Sequence, residues 1–189
     1  MSYFRLVFHG KYPLLLKRCE LSFTITPAYN SIRKKAKEGK EMNWHTKAFS
    51  ELTTTELYKL LKARTDVFVV EQNCAYPELD NLDQESMHLY LEEKGEVAAL
   101  VRIIPAGNKY TEASIGRVMV VNKFRGKGYA RNVMEKALQF ITEEWKESRI
   151  KIQAQEYLKA FYQSFGFKQM TEPYLDDGIL HIDMIWESK

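Results

Sequence analysis

The chain has 189 residues, enough for a single domain that buries a full core behind a sheet. Its 45% hydrophobic and 28% charged residues are ordinary for a globular protein and exclude a disordered or fibrous chain. A formal net charge of +3 is too small to argue for nucleic acid, and the one basic run, Arg33-Lys34-Lys35-Ala36-Lys37, reads as a solvated linker.

No apolar stretch approaches the roughly 20 residues of a membrane span. Tyr3 to Phe8 is interrupted by His9 and Lys11, Leu14-Leu15-Leu16 runs straight into Lys17-Arg18, and no signal-peptide cleavage site follows. Cys19 and Cys74 fit neither a disulfide framework nor a metal-ligand spacing, so a reducing cytoplasm is the expected compartment and no metal is expected.

Residues 1–41 carry no sustained period of 2 or 3.6, whereas regular patterns begin at Met42. Lys37-Glu38-Gly39 can be encoded AAG-GAG-GGN, a purine-rich ribosome-binding sequence just upstream of the Met42 codon. Two readings follow: residues 1–41 are a leader not natively translated, or they are a loosely packed N-terminal extension. In both, 42–189 is the folded domain.

From there the elements run in order. Asn43 to Phe49 alternates as a strand, and Thr53 or Thr54 offers an N-cap to a helix carrying Leu57, Leu60, Leu61 and Val67, which closes at Phe68-Val69-Val70. Asn73 to Ser86 is a loop with Pro77 and four acids. Met87–Glu92 and Glu96–Ile104 form a hairpin about Lys94-Gly95, and Ser114 to Val121 is a further strand. A helix from about Gly128 gathers Ala130, Val133, Met134, Ala137, Leu138, Ile141 and Trp145 on one face. Arg149 to Gln153 is a strand, Glu156 to Phe165 a helix closed by Gly166, and Phe167–Met170 and Ile179–Trp186 are strands around the Asp176-Asp177-Gly178 turn. The expected class is α/β (α+β): a mixed, mostly antiparallel sheet of about six or seven strands with helices on both faces.

The strongest chemical signal is the strand–loop–helix segment Val118 to Ala130. Its two glycines, Gly126 and Gly128, allow backbone N–H groups to point outward as a nest at a helix N-terminus, and Arg125, Lys127 and Arg131 add full positive charge. The segment calls for an anion. The spacing Arg125-x-x-Gly128-x-Ala130 resembles the pyrophosphate-binding signature of the GNAT superfamily, and neither of the common nucleotide-binding glycine loops fits as well. Leu158 to Phe167 resembles the helix-to-strand block that follows this loop in the same superfamily, with Tyr162 in the place of the tyrosine that protonates the leaving thiolate. Arg64 to Asp80, Gln153-Ala154-Gln155 and Asp177 to Ile182 are similar to the ElaA-type branch of that superfamily, so the resemblance covers nearly all of 42–189.

The resemblance implies a GNAT fold and an acetyl-CoA-dependent N-acetyltransferase that moves an acetyl group directly to a primary amine, small-molecule or peptide, in a ternary complex. It implies no nucleic-acid or membrane partner and leaves a homodimer open. Val118, Met119 and Val120 would hold the pantetheine arm through backbone N–H groups. The pyrophosphate would sit on Arg125, Gly126, Lys127, Gly128, Tyr129, Ala130 and Arg131, with Gln155 as an amide beside the pantetheine. Tyr162 would be the general acid, and Glu71 the acid most suited to serve as base or amine anchor. Arg64, Phe68, Tyr76, Asp80 and Arg102 would shape the substrate side. His88 and His181 read as structural histidines with weaker claims as bases.

Two alternatives stay open: a non-catalytic acyl-CoA-binding or sensing module, and an acyltransferase like the acyl-homoserine-lactone synthases. The latter share counterparts of Arg64 to Phe68, Glu78 to Asp83 and Val101 to Pro105, which suggests a salt-bridge network among Arg64, Asp80, Asp83 and Arg102. Ser114, however, stands where that family has a strand acid.

Overall fold

A computed structural model describes residues 42–188. The readings made of residues 1–41 lie outside the described residues. The elements are β1 (Met42–Ala48), α1 (Thr54–Arg64), β2 (Met87–Glu93), β3 (Glu96–Ile104), β4 (Ala113–Val120), α2 (Tyr129–Glu143), β5 (Arg149–Gln155), α3 (Lys159–Gln163), β6 (Lys168–Gln169), β7 (Tyr174–Asp176) and β8 (Ile179–Glu187). Eight strands form one sheet in the order β1-β2-β3-β4-β5-β8-β6, with β7 also paired to β8. Only β4 and β5 run parallel.

Helices cover both faces, as the hydrophobic pattern predicts. α2 packs Val133, Met134, Ala137 and Ile141 against Val101, Ile103, Ile150 and Ile152. α1 packs Leu60, Ala63 and Val67 against Tyr90, Leu100 and Met119 on the opposite face. Covered on both sides, β3 is buried from Val97 through Ile104 and reads as a continuous apolar run interrupted only by Arg102.

Three details differ from the sequence reading. Phe49 belongs to a 3₁₀ turn, Phe49–Glu51, because the strand ends at Ala48 where Glu51 caps the chain. The 73–86 loop ends before a longer sheet than expected: eight strands form because the segment after Pro173 folds back on β8 as the three-residue β7, too short to carry a period. The expected helix over Glu156–Phe165 is a 3₁₀ turn, Glu156–Leu158, followed by the short α3.

α1 starts where its capping residues dictate. Thr53 accepts from the Glu56 amide at 3.2 Å, and Glu56 returns a bond from the Thr53 amide at 2.9 Å. Its C-terminus does not stop at Arg64; it widens into a π-helical turn, Thr65–Glu71. The extra residue per turn re-aims Phe68, Glu71 and the following Gln72.

A buried ionic cluster fixes the 73–86 loop. Arg64, 1% exposed, donates to Glu78 at 2.7 Å and to Asp83 at 2.6 Å. Arg102, also 1% exposed, grips Asp80 through two bonds of 2.6 Å and reaches Asp83 at 3.1 Å. Arg117 closes the cluster on Glu78 at 2.8 Å and Asp80 at 3.2 Å. Three guanidinium groups thus meet three carboxylates, and a loop without secondary structure gains a fixed shape. The expected network among Arg64, Asp80, Asp83 and Arg102 is present, with Glu78 and Arg117 as further members. Because removing one partner strands buried charge, Arg64→Ala should lower stability by about 3–5 kcal/mol. Urea unfolding at neutral pH checks this; a loss under 1 kcal/mol would mean the cluster is dispensable.

Candidate active site

The sheet opens at its centre. The parallel pairing of β4 and β5 involves only Ala113 with Ile150 and Ser114 with Lys151, after which the strands part. A register shift between Leu100 and Arg102 bulges β4 against β3 at the same level. The bulge holds Arg117 at φ 54°, in the left-handed region that a bulky residue seldom occupies. From Gly116 to Val120 the edge of β4 that faces β5 has no strand partner among the described residues.

Two cavities meet at this gap. The larger, about 500 Å³, lies over the β4–α2 loop and takes in Val118, Met119, Val120, Arg125, Gly126 and Gly128. Tyr129, Ala130 and Glu71 also line it. The smaller, about 150 Å³, lies on the side of the ionic cluster and takes in Phe68, Tyr76, Arg102, Lys109, Arg117 and His181. Phe68, Gln72, Val118, Gln155, Leu158 and Tyr162 border both.

The β4–α2 loop is built as the glycines require. Gly126 and Gly128 sit at φ 78° and 80°, and a Cβ at either would meet no atom within 4 Å. Conformation rather than crowding demands glycine there, and open space lies before the start of α2. No side chain caps that helix. Its first amides therefore remain available to an anion.

Arg125 reaches Glu71 at 2.6 Å and the Val120 carbonyl at 3.1 Å. The side chains of Lys127 and Arg131 turn elsewhere. Lys127 pairs with Glu93 at 2.9 Å, whereas Arg131 bonds Ser164 at 3.1 Å and lies 4.8 Å from the centre of the Phe165 ring. Neither borders either of these two cavities.

At the junction Tyr162 is 7% exposed and packs edge-on against Phe161 and Phe167. Burial, with the neighbouring Tyr157, pushes its hydroxyl well above the ordinary tyrosine value, so it stays protonated at neutral pH and keeps a hydrogen to donate. Gln155 spans the gap: its amide donates to Gln72 at 3.2 Å and accepts from the Tyr157 hydroxyl at 2.6 Å.

On the smaller cavity the Arg117 guanidinium lies 5.6 Å from the centre of the Tyr76 ring and 6.0 Å from that of Phe68. Arg64 and Asp80 stand behind this wall and brace it without bordering the space. Glu71, foreseen as a base or amine anchor, borders only the larger cavity. His88 is sealed against the Asp83 carbonyl at 3.1 Å, a structural position. Gln72, Lys109, Gln153 and His181 border the smaller cavity, the first three without having been read as site residues and His181 with only a weak claim as a base. The signal for the last two was the alternation of β5 and β8, which puts Gln153, Gln155 and His181 on one face while Ile152, Ala154 and Ile182 fill the core on the other.

The model for an acetyltransferase (GNAT) domain matches residues 51–188. The chain belongs to the GNAT acetyltransferase family. The protein ElaA of Escherichia coli is 38% identical over 148 residues, which cover 77% of this chain and 97% of ElaA. The crystal structure of ElaA superposes with a TM-score of 0.73, covering 78% of this chain and all of that one. An acyl-CoA N-acyltransferase from Pseudomonas aeruginosa superposes with a TM-score of 0.74 at 38% identity, covering 77% of this chain and 99% of that one. A coenzyme-A-dependent acyl-homoserine lactone synthase, BjaI, shares the fold at 16% identity with a TM-score of 0.64, covering 78% of this chain and 83% of that one. In this GNAT domain no helix among the described residues is long and apolar enough to cross a membrane.

The carboxylates behind the smaller cavity set an acid limit. Burial disfavours charge on Asp80, but bonds from Arg102 and the charge of Arg117 overcome it and hold the carboxyl down at about 2. Asp83 is lowered too, against burial, by Arg64 and Arg102. A depressed folded value contributes stability that is complete above the unfolded value and lost as pH falls through the folded one. Unfolding free energy should therefore fall steeply between about pH 4 and pH 2. Denaturant titrations across that range check it, and Asp80→Asn should make the fall shallower.

Proposed function

We propose that residues 42–189 form an N-acetyltransferase unit that moves the acetyl group of acetyl-CoA to a primary amine by direct transfer. The observation that carries this reading is the meeting of two cavities at Val118, Gln155 and Tyr162. The larger space, ending on a glycine-bent helix N-terminus, suits a pyrophosphate joined to a long polar arm. The smaller, flanked by aromatic rings and polar groups, suits an acceptor. A transfer reaction needs both ligands at one point, and these residues supply it.

In this reading the amides of Gly126 to Arg131 bind the pyrophosphate, and the unpaired edge of Val118 to Val120 receives the pantetheine. A thioester carbonyl against that edge would find backbone N–H groups poised for the charge that develops on its oxygen. Glu71 holds Arg125 in place at the mouth. Gln155 fixes the arm at the gap, and the Tyr162 hydroxyl protonates the departing sulfur. No covalent enzyme intermediate is required. The activity belongs in the cytoplasm, where acyl-CoA and reduced thiols coexist.

Tyr162→Phe tests the mechanism, because it keeps the ring and its packing and removes only the hydroxyl. Acetyl transfer should fall by about 10²–10⁴-fold with little change in acetyl-CoA affinity. Initial rates measure the first and calorimetry the second. Wild-type turnover in the variant would move the proton to another donor. Loss of coenzyme binding would make Tyr162 a packing residue.

A further inference from the structure

We propose that His181 is the catalytic base, its Nε2 taking the proton from the acceptor amine; the proposal rests on the acyl-transfer reading above. Placement comes first. His181 pairs with Gln155 across the β5–β8 ladder, and directly opposed residues put their side chains on the same face. The imidazole therefore stands beside the amide that borders both cavities. It lines the acceptor cavity together with Tyr162 and is half-buried.

The tautomer comes next. His181 Nδ1 lies 2.9 Å from the Ile179 carbonyl oxygen. A carbonyl oxygen only accepts, so a neutral imidazole carries its proton on Nδ1 and leaves a bare lone pair on Nε2. The carbonyl is held by a tight turn. Asp177 and Gly178, at φ 48° and 79°, form a two-residue hairpin loop between Asp176 and Ile179. Nε2 has no hydrogen-bond partner among the described residues.

Other bases are poorly placed. Glu71 is paired with Arg125 on the coenzyme side. His88 is sealed within the ionic cluster, and His45 stacks on Tyr90 at 4.7 Å, away from both cavities. Asp176 and Asp177 are exposed, and Asp176 accepts from Gln153 at 2.8 Å. The charged and titratable groups that share the cavity with the imidazole are these two aspartates from the turn, Arg117 and Arg102 from the strands, Lys109 from the β3–β4 loop, and Cys74, Tyr76 and Tyr162. Tyr174 pairs with it on β7.

The protons balance. An acceptor ammonium loses two as its nitrogen becomes an amide. Nε2 takes the first and passes it to solvent. The neutral amine forms the C–N bond as the C–S bond breaks, and Tyr162 protonates the sulfur. The second nitrogen proton then restores the Tyr162 hydroxyl.

The test uses His181→Asn, whose side-chain N–H can keep the bond to the Ile179 carbonyl. Wild type and variant are assayed for coenzyme A release from acetyl-CoA with a panel of alkylamines, amino acids and polyamines. The variant should lose about 10²–10⁴-fold in kcat/KM and show a pH profile different from the wild type, while its affinity for acetyl-CoA stays unchanged. Nitrogen NMR of the wild-type protein should find the His181 proton on Nδ1. A variant with wild-type rate and pH profile, or a proton found on Nε2, overturns the assignment and leaves the acyl-transfer reading standing. Absence of transfer by the wild type to every amine overturns both.

Discussion

The parting of β4 from β5 is the constraint on which the site depends. Two residue pairs hold the strands together at one end, and a bulge that forces Arg117 into a left-handed conformation separates them at the other. A closed sheet would have buried Val118 to Val120 in a ladder and left no place for two ligands to meet. The strain at Arg117 is held by its bonds to Glu78 and Asp80, which are in turn locked by Arg64 and Arg102. The ionic cluster therefore shapes the smaller cavity and keeps the sheet open in one stroke, although the intact cluster adds little net stability once desolvation is counted, and only the removal of one member is costly.

The two sides of the gap use opposite chemistry. On the side proposed for the coenzyme the groups on offer are backbone amides and the N-terminus of α2, which need glycine but few particular side chains. On the side of the smaller cavity the polar face of β5 and β8 turns inward, with Gln153, Gln155 and His181 bordering the space. Those strands alternate as strands with one wet face should, but the wet face is a cavity wall.

Much of this was legible in the residues. The glycine loop, a short helix with Tyr162 and both helix-covered faces follow from spacing and patterning, because local turn chemistry and period carry them, whereas four members of the ionic cluster follow from a family resemblance. The rest depends on tertiary pairing. Glu78 and Arg117 join the cluster only through the loop's path, and Lys127 and Arg131 leave the nest for Glu93 and Phe165, partners 34 residues away or more. His181 looks like a lone histidine until its register with Gln155 is known. The π-helical turn that aims Phe68 and Gln72 at the gap has no sequence signature of its own.

The most direct test of the account is a crystal structure of the chain with a non-hydrolysable acetyl-CoA analogue. The account predicts the pyrophosphate on the amides of Gly126 to Arg131, the pantetheine between β4 and β5, and the atom that replaces the thioester sulfur beside the Tyr162 hydroxyl. A coenzyme bound with its pyrophosphate away from that loop, or with its acyl end remote from the gap, would contradict it.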